Sequence, residues 1–449
     1  MSHSSIANRR RRMTVLRCAL MLAPLAAALS ACNDGNPLAA SPYDAQATIA
    51  YGTSSGGKAD PNKPLEITLK DDGAKITDVT ATDASGRWVR GELSADGRRW
   101  HSTAPLAAGV HYTVRVSTED SDGHPGRKVS GFDTTSVRGA GLHVTFGPKG
   151  GTYGVGQPVT ATLSAPVKDP AARAAVESNL HVTSAPQAAQ GSWYWVDDKT
   201  LHYRPSQYWP AHATITASST LSGVLVKNGL YGSADKPLTV HTGDRIEAIT
   251  DAGSHEMTFK DDGKVVRTMP VTTGKPGFDT RNGTKVVLEK EQFVQMRSAT
   301  VGIAAGSSDS YDLPVYWAVR VTWSGEYVHA APWSQGSQGY ANVSHGCTGM
   351  STANAEWLFE HVQPGDIVKV VNSDGPTMTP FDNGFGDWNL TWSQWKQGSA
   401  LAGGGGGVTP KLPAPGSGSD SGGGQTSIGD QEQEPHLPSD PARLRPEAA

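Results

Sequence analysis

The sequence predicts a mainly β chain made of several small domains, and three observations lead to this prediction. Short runs of alternating apolar and polar residues recur along most of the chain, with turn signals between them. One such pattern returns after about a hundred residues, which is the size of a single β-sandwich domain. Only 37% of the 449 residues are hydrophobic, and the 52 Gly and 29 Pro suit several small cores and linkers better than one large core.

Residues 1–31 have the pattern of an export signal. Arg9 to Arg12 supply a positive region, and Cys18 to Ala31 form an apolar run that is too short for a comfortable membrane span. Leu29-Ser30-Ala31-Cys32 is similar to a bacterial lipobox, in which the cysteine is lipidated and becomes the first mature residue. We therefore expect an exported protein that a lipid on Cys32 anchors to the outer face of the cytoplasmic membrane. The alternative is simple secretion after cleavage just before that cysteine.

Cysteine usage leaves one thiol in the mature protein. Of the three cysteines, Cys18 is removed with the signal and Cys32 would carry lipid, so Cys347 stands alone. No internal disulfide is then possible, and a free thiol in an oxidising space is a chemical liability. This arrangement favours a reactive role for Cys347.

The charge of the chain argues against two classes of partner. The formal charge falls from -4 to -9 on removal of the signal, because residues 1–31 contain five Arg and no acidic residue. A mildly acidic exported protein is not expected to bind nucleic acid or a membrane surface through bulk charge. Membrane attachment is expected to come from the lipid.

The first domain follows a short linker. Residues 32–45 are small and polar and are predicted to form that linker. Strand-like runs follow, such as those at 65–69 and 111–116, and Asp71-Asp72-Gly73 and Ala95-Asp96-Gly97 supply turn signals between them. This spacing predicts a small β-sandwich over residues 46–137.

The pattern is repeated in the next part of the chain. Trp100 to Pro105 followed by His111 to Val114 is echoed by His202 to Pro205 followed by His212 to Ile215. We therefore predict two tandem immunoglobulin-like β-sandwiches, the second over residues 140–242, without the cysteine pair that pins many such domains.

Trp193 and Trp195 are singled out in the second sandwich. At positions i and i+2 they would share one face of a strand. Core packing is the simpler interpretation, and a glycan-facing aromatic platform is the alternative.

The rest of the chain begins with further strand-like runs after Asp244. Residues 351–362 carry apolar residues three or four apart with Ser351 at a plausible N-cap, which predicts a helix. Pro364 ends that helix, and residues 367–371 return as a strand. Residues 401–449 are rich in Gly, Ser, Pro, Asp and Glu, cannot bury a core, and are predicted to be disordered.

One short segment contains the parts of a thiol nucleophile, namely His329, His345 and Cys347. A thiol reacts as the thiolate, and an imidazole that accepts its proton keeps it reactive near neutral pH. The residues alone leave two alternatives, a buried structural thiol and a zinc site with His361 as a third ligand. Zinc is the weaker of these because such sites usually need several thiolates, so we expect no metal and no cofactor.

The full string resembles the signature of the YkuD-type L,D-transpeptidases of bacterial cell walls, in which a His and a loop precede Ser/Thr-His-Gly-Cys. Here it runs from His329 through small residues up to Gly339 and ends at Ser344-His345-Gly346-Cys347. The chain as far as about Ala400 is similar to the large members of this family, which carry tandem immunoglobulin-like domains. The other matching pieces are Gly243-Asp244-Arg245, Thr280 to Thr284, Tyr311 with Trp317, Ser324-Gly325 and Gly386-Asp387-Trp388-Asn389.

The resemblance implies a β-rich catalytic domain over residues 243–372, followed by a short C-terminal subdomain over residues 373–400 that packs on it. It also implies that Phe293 to Ser308 form a lid over the cleft, where Met296 would contact substrate. The alternative for Met296 is an ordinary hydrophobic loop residue.

The resemblance also implies roles for single residues. Cys347 would be the nucleophile and His329 its general base, oriented by the backbone carbonyl of Ala330. The N–H groups of Gly346 and Cys347, with the Tyr311 hydroxyl, would form an oxyanion hole. An ordinary half-buried strand tyrosine is the alternative for Tyr311. Further positions expected to contact substrate are His345, Ser344, Trp333, Ser324 and Gly325.

Two positions depart from the family pattern. Gly349 stands where the family usually has Asn, and Arg281 replaces the Pro of a Thr-Pro-x-Gly turn, although Asn282-Gly283 keeps the turn chemistry. We expect these departures to affect efficiency and substrate preference more than the reaction class.

The implied donor is a peptidoglycan tetrapeptide stem that ends in a diamino acid and D-Ala. The implied acceptor is a side-chain amine of a neighbouring stem, which gives a 3→3 cross-link, and carbapenems are the expected inhibitors. The alternatives are an L,D-carboxypeptidase, a transpeptidase that attaches proteins to the wall, and a wall-binding spacer lipoprotein with an inert thiol. The sandwich domains would lift the active site from the membrane to the wall.

Overall fold

A computed structural model describes residues 42–52, 58–70, 73–137, 140–304 and 306–402. The predicted signal, the lipidation site Cys32 and the predicted tail from residue 403 onward lie outside the described residues. The described chain is mainly β, as predicted, and its strands form separate sheets along the sequence. Among the described residues, no helix is both long enough and apolar enough to cross a membrane.

The first group of strands forms two sheets that share one core. These strands are β1 Tyr43–Asp44, β2 Ile49–Tyr51, β3 Lys58–Ala59, β4 Glu66–Leu69, β5 Lys75–Asp83, β6 Gly91–Leu93, β7 Arg99–Ser102, β8 His111–Glu119 and β9 Pro125–Thr134, with a short 3-10 helix at Ala45–Ala47. One sheet has the order β1-β9-β8-β5, with β3 beside β9, and the other has the order β2-β4-β7-β6. In β8, Tyr112, Val114 and Val116 are buried while the residues between them are not, which is the alternation expected of a strand with one core face.

The predicted linker is shorter than the sequence suggested. Tyr43 and Asp44 were assigned to it, but they pair in parallel with β9, where Tyr43 lies opposite Gly126. A Cβ atom on Gly126 would lie 2.3 Å from the Tyr43 ring, so glycine makes room for this contact. Pairing between residues so far apart in the chain leaves no local sequence pattern.

The second group of strands forms the second sandwich. Its elements are β10 Ala140–Leu142, β11 Val144–Gly147, β12 Thr152–Tyr153, β13 Val159–Leu163, α1 Pro170–Glu177, β14 Leu180–Ala185, β15 Gly191–Trp195, β16 Thr200–Pro205, β17 Thr214–Ser219, β18 Leu225–Lys227, β19 Leu230–Gly232 and β20 Leu238–Thr242. The two main sheets have the orders β11-β13-β16-β15 and β12-β20-β17-β14. Helix α1 was not predicted, although Asp169 caps it and Pro170 stands at its first position.

Trp193 and Trp195 lie on one face of β15 and are 4% and 6% exposed. Their indole N–H groups donate to the carbonyl of Leu180 and to the carboxylate of Glu177. The core interpretation of this pair is therefore confirmed, and the glycan platform is wrong.

The third group of strands forms one nine-stranded sheet within the described residues. The strands are β21 Ile246–Asp251, β22 Glu256–Asp261, β23 Lys264–Thr272, β24 Gly283–Val286, β25 Glu289–Arg297, β26 Asp312–Arg320, β27 Tyr327–Ala330, β28 Thr348–Met350 and β29 Ile367–Val371. Their order is β24-β29-β21-β22-β23-β28-β27-β26-β25, and β21 with β29 and β27 with β28 are its parallel pairs.

The predicted helix after the cysteine is confirmed as α2, Thr352–His361. The Ser351 side chain accepts the N–H of Asn354, which is the N-cap bond expected from the sequence. Ala355 and Leu358 of this helix share a core with Val328 and Met350 of the central strands. Helix α2 therefore supports the strands that carry the candidate site.

The predicted lid region is more regular than expected. Residues 293–297 continue strand β25, and Ser298–Val301 form a 3-10 helix. Phe293 lies opposite Tyr316 of β26, and their rings meet edge to face with centroids 5.4 Å apart. Cross-strand contacts of this kind stabilise a β-hairpin even where the sequence of one strand does not alternate regularly between apolar and polar residues.

The C-terminal segment contacts both the second sandwich and the nine-stranded sheet. It contains a 3-10 helix at Asp387–Asn389 and helix α3, Trp392–Gln397. The Arg204 guanidinium, from β16 of the second sandwich, lies 4.7, 5.6 and 4.5 Å from the ring centroids of three tryptophans in this segment, Trp388, Trp392 and Trp395. Arg204 is 2% exposed, and burial lowers its pKa to about 10.

Candidate active site

The candidate site lies where β27 and β28 run in parallel. All four residues of β27 are buried, so the strand is covered on both faces. His329 lies opposite Gly349, and Cys347 comes directly before β28. His329, Gly349 and Cys347 all border one cavity.

This cavity has a volume of about 260 Å³ and combines an apolar wall with polar groups around the thiol. Such a combination is typical of a small-molecule or peptide-binding pocket. Its lining residues are Thr272, Met296, Tyr311, Leu313, Val315, His329, Ala331, Trp333, Ser334, Val343, Ser344, His345, Cys347 and Gly349.

The tautomer of His329 follows from its hydrogen bond. Nδ1 lies 2.7 Å from the carbonyl oxygen of Ala330, and because a carbonyl can only accept, Nδ1 carries the proton. His329 is 5% exposed, and burial lowers the pKa of its imidazole. The ring is therefore neutral near pH 7, and Nε2 keeps a lone pair that can accept a proton.

The thiol of Cys347 is half-buried and also uncharged at rest. Its S–H donates to the carbonyl of Gly325 at 3.5 Å. Burial raises the pKa of the Cys347 thiol to about 11; the backbone N–H of Tyr327 opposes this rise, the Glu326 carboxylate adds to it, and the Lys285 ammonium opposes it. Burial thus disfavours both charges of a thiolate–imidazolium pair, so the resting site favours the thiol and the neutral imidazole.

The turn before β28 is held by hydroxyl groups. Ser344 Oγ donates to the Cys347 carbonyl at 2.6 Å and accepts the Gly346 N–H at 3.1 Å. Thr280 Oγ1 donates to the Gly346 carbonyl at 2.9 Å. Gly346 has φ +114°, a conformation that favours glycine.

This turn corrects one expectation about the oxyanion hole. The Gly346 N–H was expected to donate to the oxyanion, but it is already bonded to Ser344. A tight turn closed by a serine hydroxyl uses that donor locally. Of the two backbone N–H groups expected to donate to the oxyanion, that of Cys347 remains.

His345 and Tyr311 stand together at the polar side of the cavity. Their ring centroids are 5.2 Å apart, and Phe278 lies 4.8 Å from His345 on the same measure. His345 Nε2 is 3.4 Å from Asp309 Oδ1, which also accepts a hydrogen bond from Lys275 Nζ at 2.6 Å. Burial raises the pKa of Tyr311, so its hydroxyl keeps its proton and can donate.

The structure brings most of the sequence-predicted site residues to the cavity and leaves some outside its lining. Met296 and the 53%-exposed Trp333 line it, whereas Ser324 is exposed and hydrogen-bonded to Asn383. Gly325 contributes its carbonyl to the thiol without lining the cavity.

His361 does not join the site as a third metal ligand. It lies on α2, where its ring stacks on Trp357 with centroids 4.0 Å apart. Among the described residues, a group with metal-ligand spacing occurs instead at Asp120, Asp122 and His124 in the first sandwich. Asp120 there accepts the backbone N–H groups of the other two, which is ordinary turn chemistry.

Several residues near the thiol were missed by sequence reasoning. Thr280 was part of a matching motif without a role, and Asp309 and Lys275 carried no signal. Lys285 and Glu326 are 1% and 6% exposed, although charged residues are rarely buried so completely. The two residues are distant in the sequence and meet only in the folded chain, so no local pattern indicates that they pair.

Comparison with known proteins gives consistent matches over most of the chain. The model of the YkuD family, described as an L,D-transpeptidase catalytic domain, matches residues 245–370, and a bacterial Ig domain model matches residues 57–225. L,D-transpeptidase 2 of Mycobacterium tuberculosis (strain CDC 1551 / Oshkosh) is 34% identical over 339 residues, which cover 76% of this chain and 81% of the relative. L,D-transpeptidase 1 of Mycobacterium tuberculosis (strain ATCC 25618 / H37Rv) is 40% identical over 222 residues, which cover 49% of this chain and 81% of the relative. The solved structure of the LD transpeptidase LdtMt1 in complex with imipenem is 38% identical, covers 51% of this chain and 99% of its own, and superposes with a TM-score of 0.45.

Proposed function

Because this chain belongs to the YkuD family of L,D-transpeptidases, we propose that it forms 3→3 cross-links between peptidoglycan stem peptides through a thioester on Cys347. The observation that carries the proposal is a neutral imidazole with a free Nε2 and a thiol that border the same cavity. These are the parts that acyl transfer through a cysteine requires.

The first step is acylation of the thiol by the donor stem. Cys347 leaves the Gly325 carbonyl, its proton passes to Nε2 of His329, and its sulfur attacks the carbonyl carbon of the third stem residue. The carbon–sulfur bond forms, and the oxyanion is stabilised by the Cys347 N–H and the Tyr311 hydroxyl. The imidazolium then gives its proton to the nitrogen of D-Ala, the carbon–nitrogen bond breaks, and the thioester remains.

The second step transfers the acyl group to the acceptor. The side-chain amine of a neighbouring stem attacks the thioester and gives a proton to His329. The carbon–sulfur bond breaks, an amide is left in the cross-link, and the sulfur takes the proton back. The thioester conserves the acyl energy, so the reaction needs no other energy source.

The uncharged resting pair has a consequence for this mechanism. With a thiol pKa of about 11, very little thiolate exists at neutral pH before substrate binds. Proton transfer to His329 is therefore coupled to attack on the bound peptide, as in general base catalysis. Such a site protects a lone thiol from oxidation between turnovers, since oxidation follows thiolate character.

The chemistry of the thiol is tested by the mass of the intact protein after incubation with a carbapenem. Thiol attack on the β-lactam carbonyl opens the ring and adds the whole drug to the protein. We expect one adduct in the parent and none in Cys347→Ser. An unmodified parent protein would contradict a reactive thiol at this site.

The acceptor is tested separately with a purified tetrapeptide donor, with and without an added stem that supplies the amine. A cross-linked product together with free D-Ala supports the transpeptidase assignment. Release of D-Ala with only a shortened stem in both reactions would show that water is the acceptor, which is L,D-carboxypeptidase activity.

We also propose that the protein is exported and lipid-anchored through Cys32, since residues 29–32 have the spacing of a lipobox. The two sandwiches would then separate the catalytic sheet from the membrane. Metabolic labelling with a tagged fatty acid tests this proposal, with Cys32→Ala as the matched variant. Equal labelling of the parent and the variant would contradict it.

A further inference from the structure

Three charged side chains meet beside the nucleophile without lining its cavity. Lys285 Nζ, on β24, donates to Glu326 Oε2 at 2.6 Å. Glu326 Oε1 accepts hydrogen bonds from the Arg281 backbone N–H at 3.2 Å and from Arg281 Nη1 at 2.9 Å. Both oxygens of a buried carboxylate are thus satisfied by cations, which is the arrangement that makes a buried charge tolerable.

Glu326 is joined to the sulfur through its two chain neighbours. The carbonyl of Gly325 accepts the Cys347 S–H, and the backbone N–H of Tyr327 donates to the sulfur. Glu326 itself is fixed at every polar group, since its own N–H donates to Thr322 Oγ1 at 2.8 Å and its carbonyl accepts the N–H of Val321. A carboxylate held in this way fixes the backbone on which the thiol rests.

The network also carries more positive than negative charge. It contains two cations and one anion, and negative charge develops on the sulfur and on the carbonyl oxygen during acylation. The Lys285 ammonium favours the ionised sulfur, and the Glu326 carboxylate disfavours it. Burial lowers the pKa of the Lys285 ammonium, the Glu326 carboxylate opposes this, and a negative charge on Cys347 would also favour the protonated form.

Other titratable groups also lie around the sulfur. They are His329 on β27, Tyr311 before β26, and His345 with its partners Asp309 and Lys275. Their bonds do not involve the network. Substitutions at Arg281, Glu326 or Lys285 therefore remove no hydrogen bond that His329 or His345 makes.

We propose that Arg281, Glu326 and Lys285 are positioning residues, a buried ion network that holds the Gly325–Tyr327 backbone against the Cys347 sulfur and sets the charge beside it. The inference rests on the proposed function of Cys347 as the nucleophile. It gives Arg281 a role, in the position where the sequence pattern of the family has proline.

The test measures the rate at which iodoacetamide alkylates Cys347 as a function of pH, in the full chain, with the modified peptide followed by mass spectrometry so that other cysteines do not contribute. Lys285→Met removes the cation and should move the midpoint of the pH profile upward. Alkylation at a fixed pH should slow by about tenfold for each pH unit that the midpoint rises. Glu326→Gln keeps the shape of the side chain and should move the midpoint downward. The double variant Lys285→Met/Glu326→Gln should return close to the parent, because it removes one charge of each sign.

Lys290→Met is the matched control, since Lys290 is a cation in the same sheet that binds the carbonyls of Phe359 and Val362 instead. It should leave the midpoint unchanged. Opposite shifts in the two single variants support the proposal. Midpoints that stay fixed, or that move in the same direction while both proteins lose thermal stability, would mean that the network serves stability alone.

A second variant keeps the test decisive if Lys285→Met does not fold. Arg281 is more exposed than Lys285, and Arg281→Met should also shift the midpoint upward, because it leaves the Glu326 charge less neutralised. The alkylation profile needs no peptidoglycan substrate. A parent protein that fails to react with a carbapenem would therefore count against the proposed function, whereas the profiles alone decide the role of the network.

Discussion

His329 and Ala330 are joined by a hydrogen bond of 2.7 Å from the imidazole Nδ1 to the backbone carbonyl of the next residue. The bond fixes the ring and its tautomer with main-chain atoms alone, so the side chain at position 330 is free to be small. It leaves Nε2 with a lone pair, as the proposed proton acceptor for the Cys347 thiol.

His329→Gln should slow carbapenem acylation by about two to four orders of magnitude, which is the usual contribution of a general base. Because burial lowers the pKa of His329, the parent should keep its acylation rate at pH values below the ordinary histidine range. Stopped-flow acylation from pH 5 to pH 8 measures both effects. A parent rate that falls steeply below pH 7 would contradict a neutral buried base.

Thr280→Val should weaken the turn that carries Gly346. The buried hydroxyl donates to the Gly346 carbonyl and accepts the Gly274 N–H, so valine leaves two polar groups without this partner. We expect a loss of about 1–3 kcal/mol in the free energy of unfolding, together with slower acylation. Urea denaturation measures the first and intact mass the second. Thr280→Ser keeps the hydroxyl and should retain most of both properties.

Gly349→Asn should lower activity, even though Asn is the residue that the family pattern favours. A Cβ atom at this position would lie 2.9 Å from the Ala331 Cβ and 3.1 Å from Thr272 Cγ2, so the floor of the cavity would have to shift. Gly349→Ala introduces the same Cβ without the amide. If the asparagine variant reacted faster than the parent and the alanine variant, the amide would outweigh the crowding, contrary to this prediction.

Asp366→Asn should change how stability depends on pH. Asp366 is fully buried beside Gly154 of the second sandwich, and burial raises its pKa to about 7. The unfolded carboxyl titrates near pH 4, so the stability linked to the protonated form is present below that pH and is lost as pH rises through about 7. The parent should therefore be less stable than the variant at pH 8, by on the order of 4 kcal/mol at most, and similar to it at pH 4. Melting curves across this range test the sign, and Asp122→Asn, at an exposed turn, removes the same charge as a control.

Arg204→Ala should loosen the C-terminal segment. Arg204 packs against three tryptophans and donates to the carbonyl of Leu390 at 2.8 Å. Loss of its volume and of the cation–π contacts should cost about 2–5 kcal/mol. Arg204→Met fills more of the space without a buried charge and should cost less. Urea denaturation measures the loss of stability, and limited proteolysis within residues 380–400 measures how loose the segment becomes. Equal protease resistance of the parent, Arg204→Ala and Arg204→Met would contradict a role of Arg204 in holding the segment.

The sequence was informative wherever one element carries its own pattern. Alternation predicted β8 and the face shared by Trp193 and Trp195, and the cap at Ser351 predicted helix α2. The string that ends at Cys347 predicted the thiol and its histidine partner, which the fold brings to one cavity.

Prediction from the sequence was wrong or silent where a property depends on residues that only the fold brings together. The pairing of Tyr43 with β9 joins distant parts of the chain, and Lys285 meets Glu326 although the two lie far apart in sequence. The protonation state of Cys347 depends mainly on how deeply the fold buries the thiol, and a sequence motif does not indicate this burial. The bond between Gly346 N–H and Ser344 depends on the detailed shape of one turn.

Parallel pairing of β27 with β28 holds His329 on one strand and places Cys347 directly before the next. The segment between these strands, residues 331–347, supplies much of the cavity lining. Exchange of residues in this segment, with its final Ser-His-Gly-Cys turn retained, would change the lining of the cavity while both strands stay in place. Directed evolution of altered acyl-donor selectivity therefore has a natural target there, with the reactive pair left in its original frame.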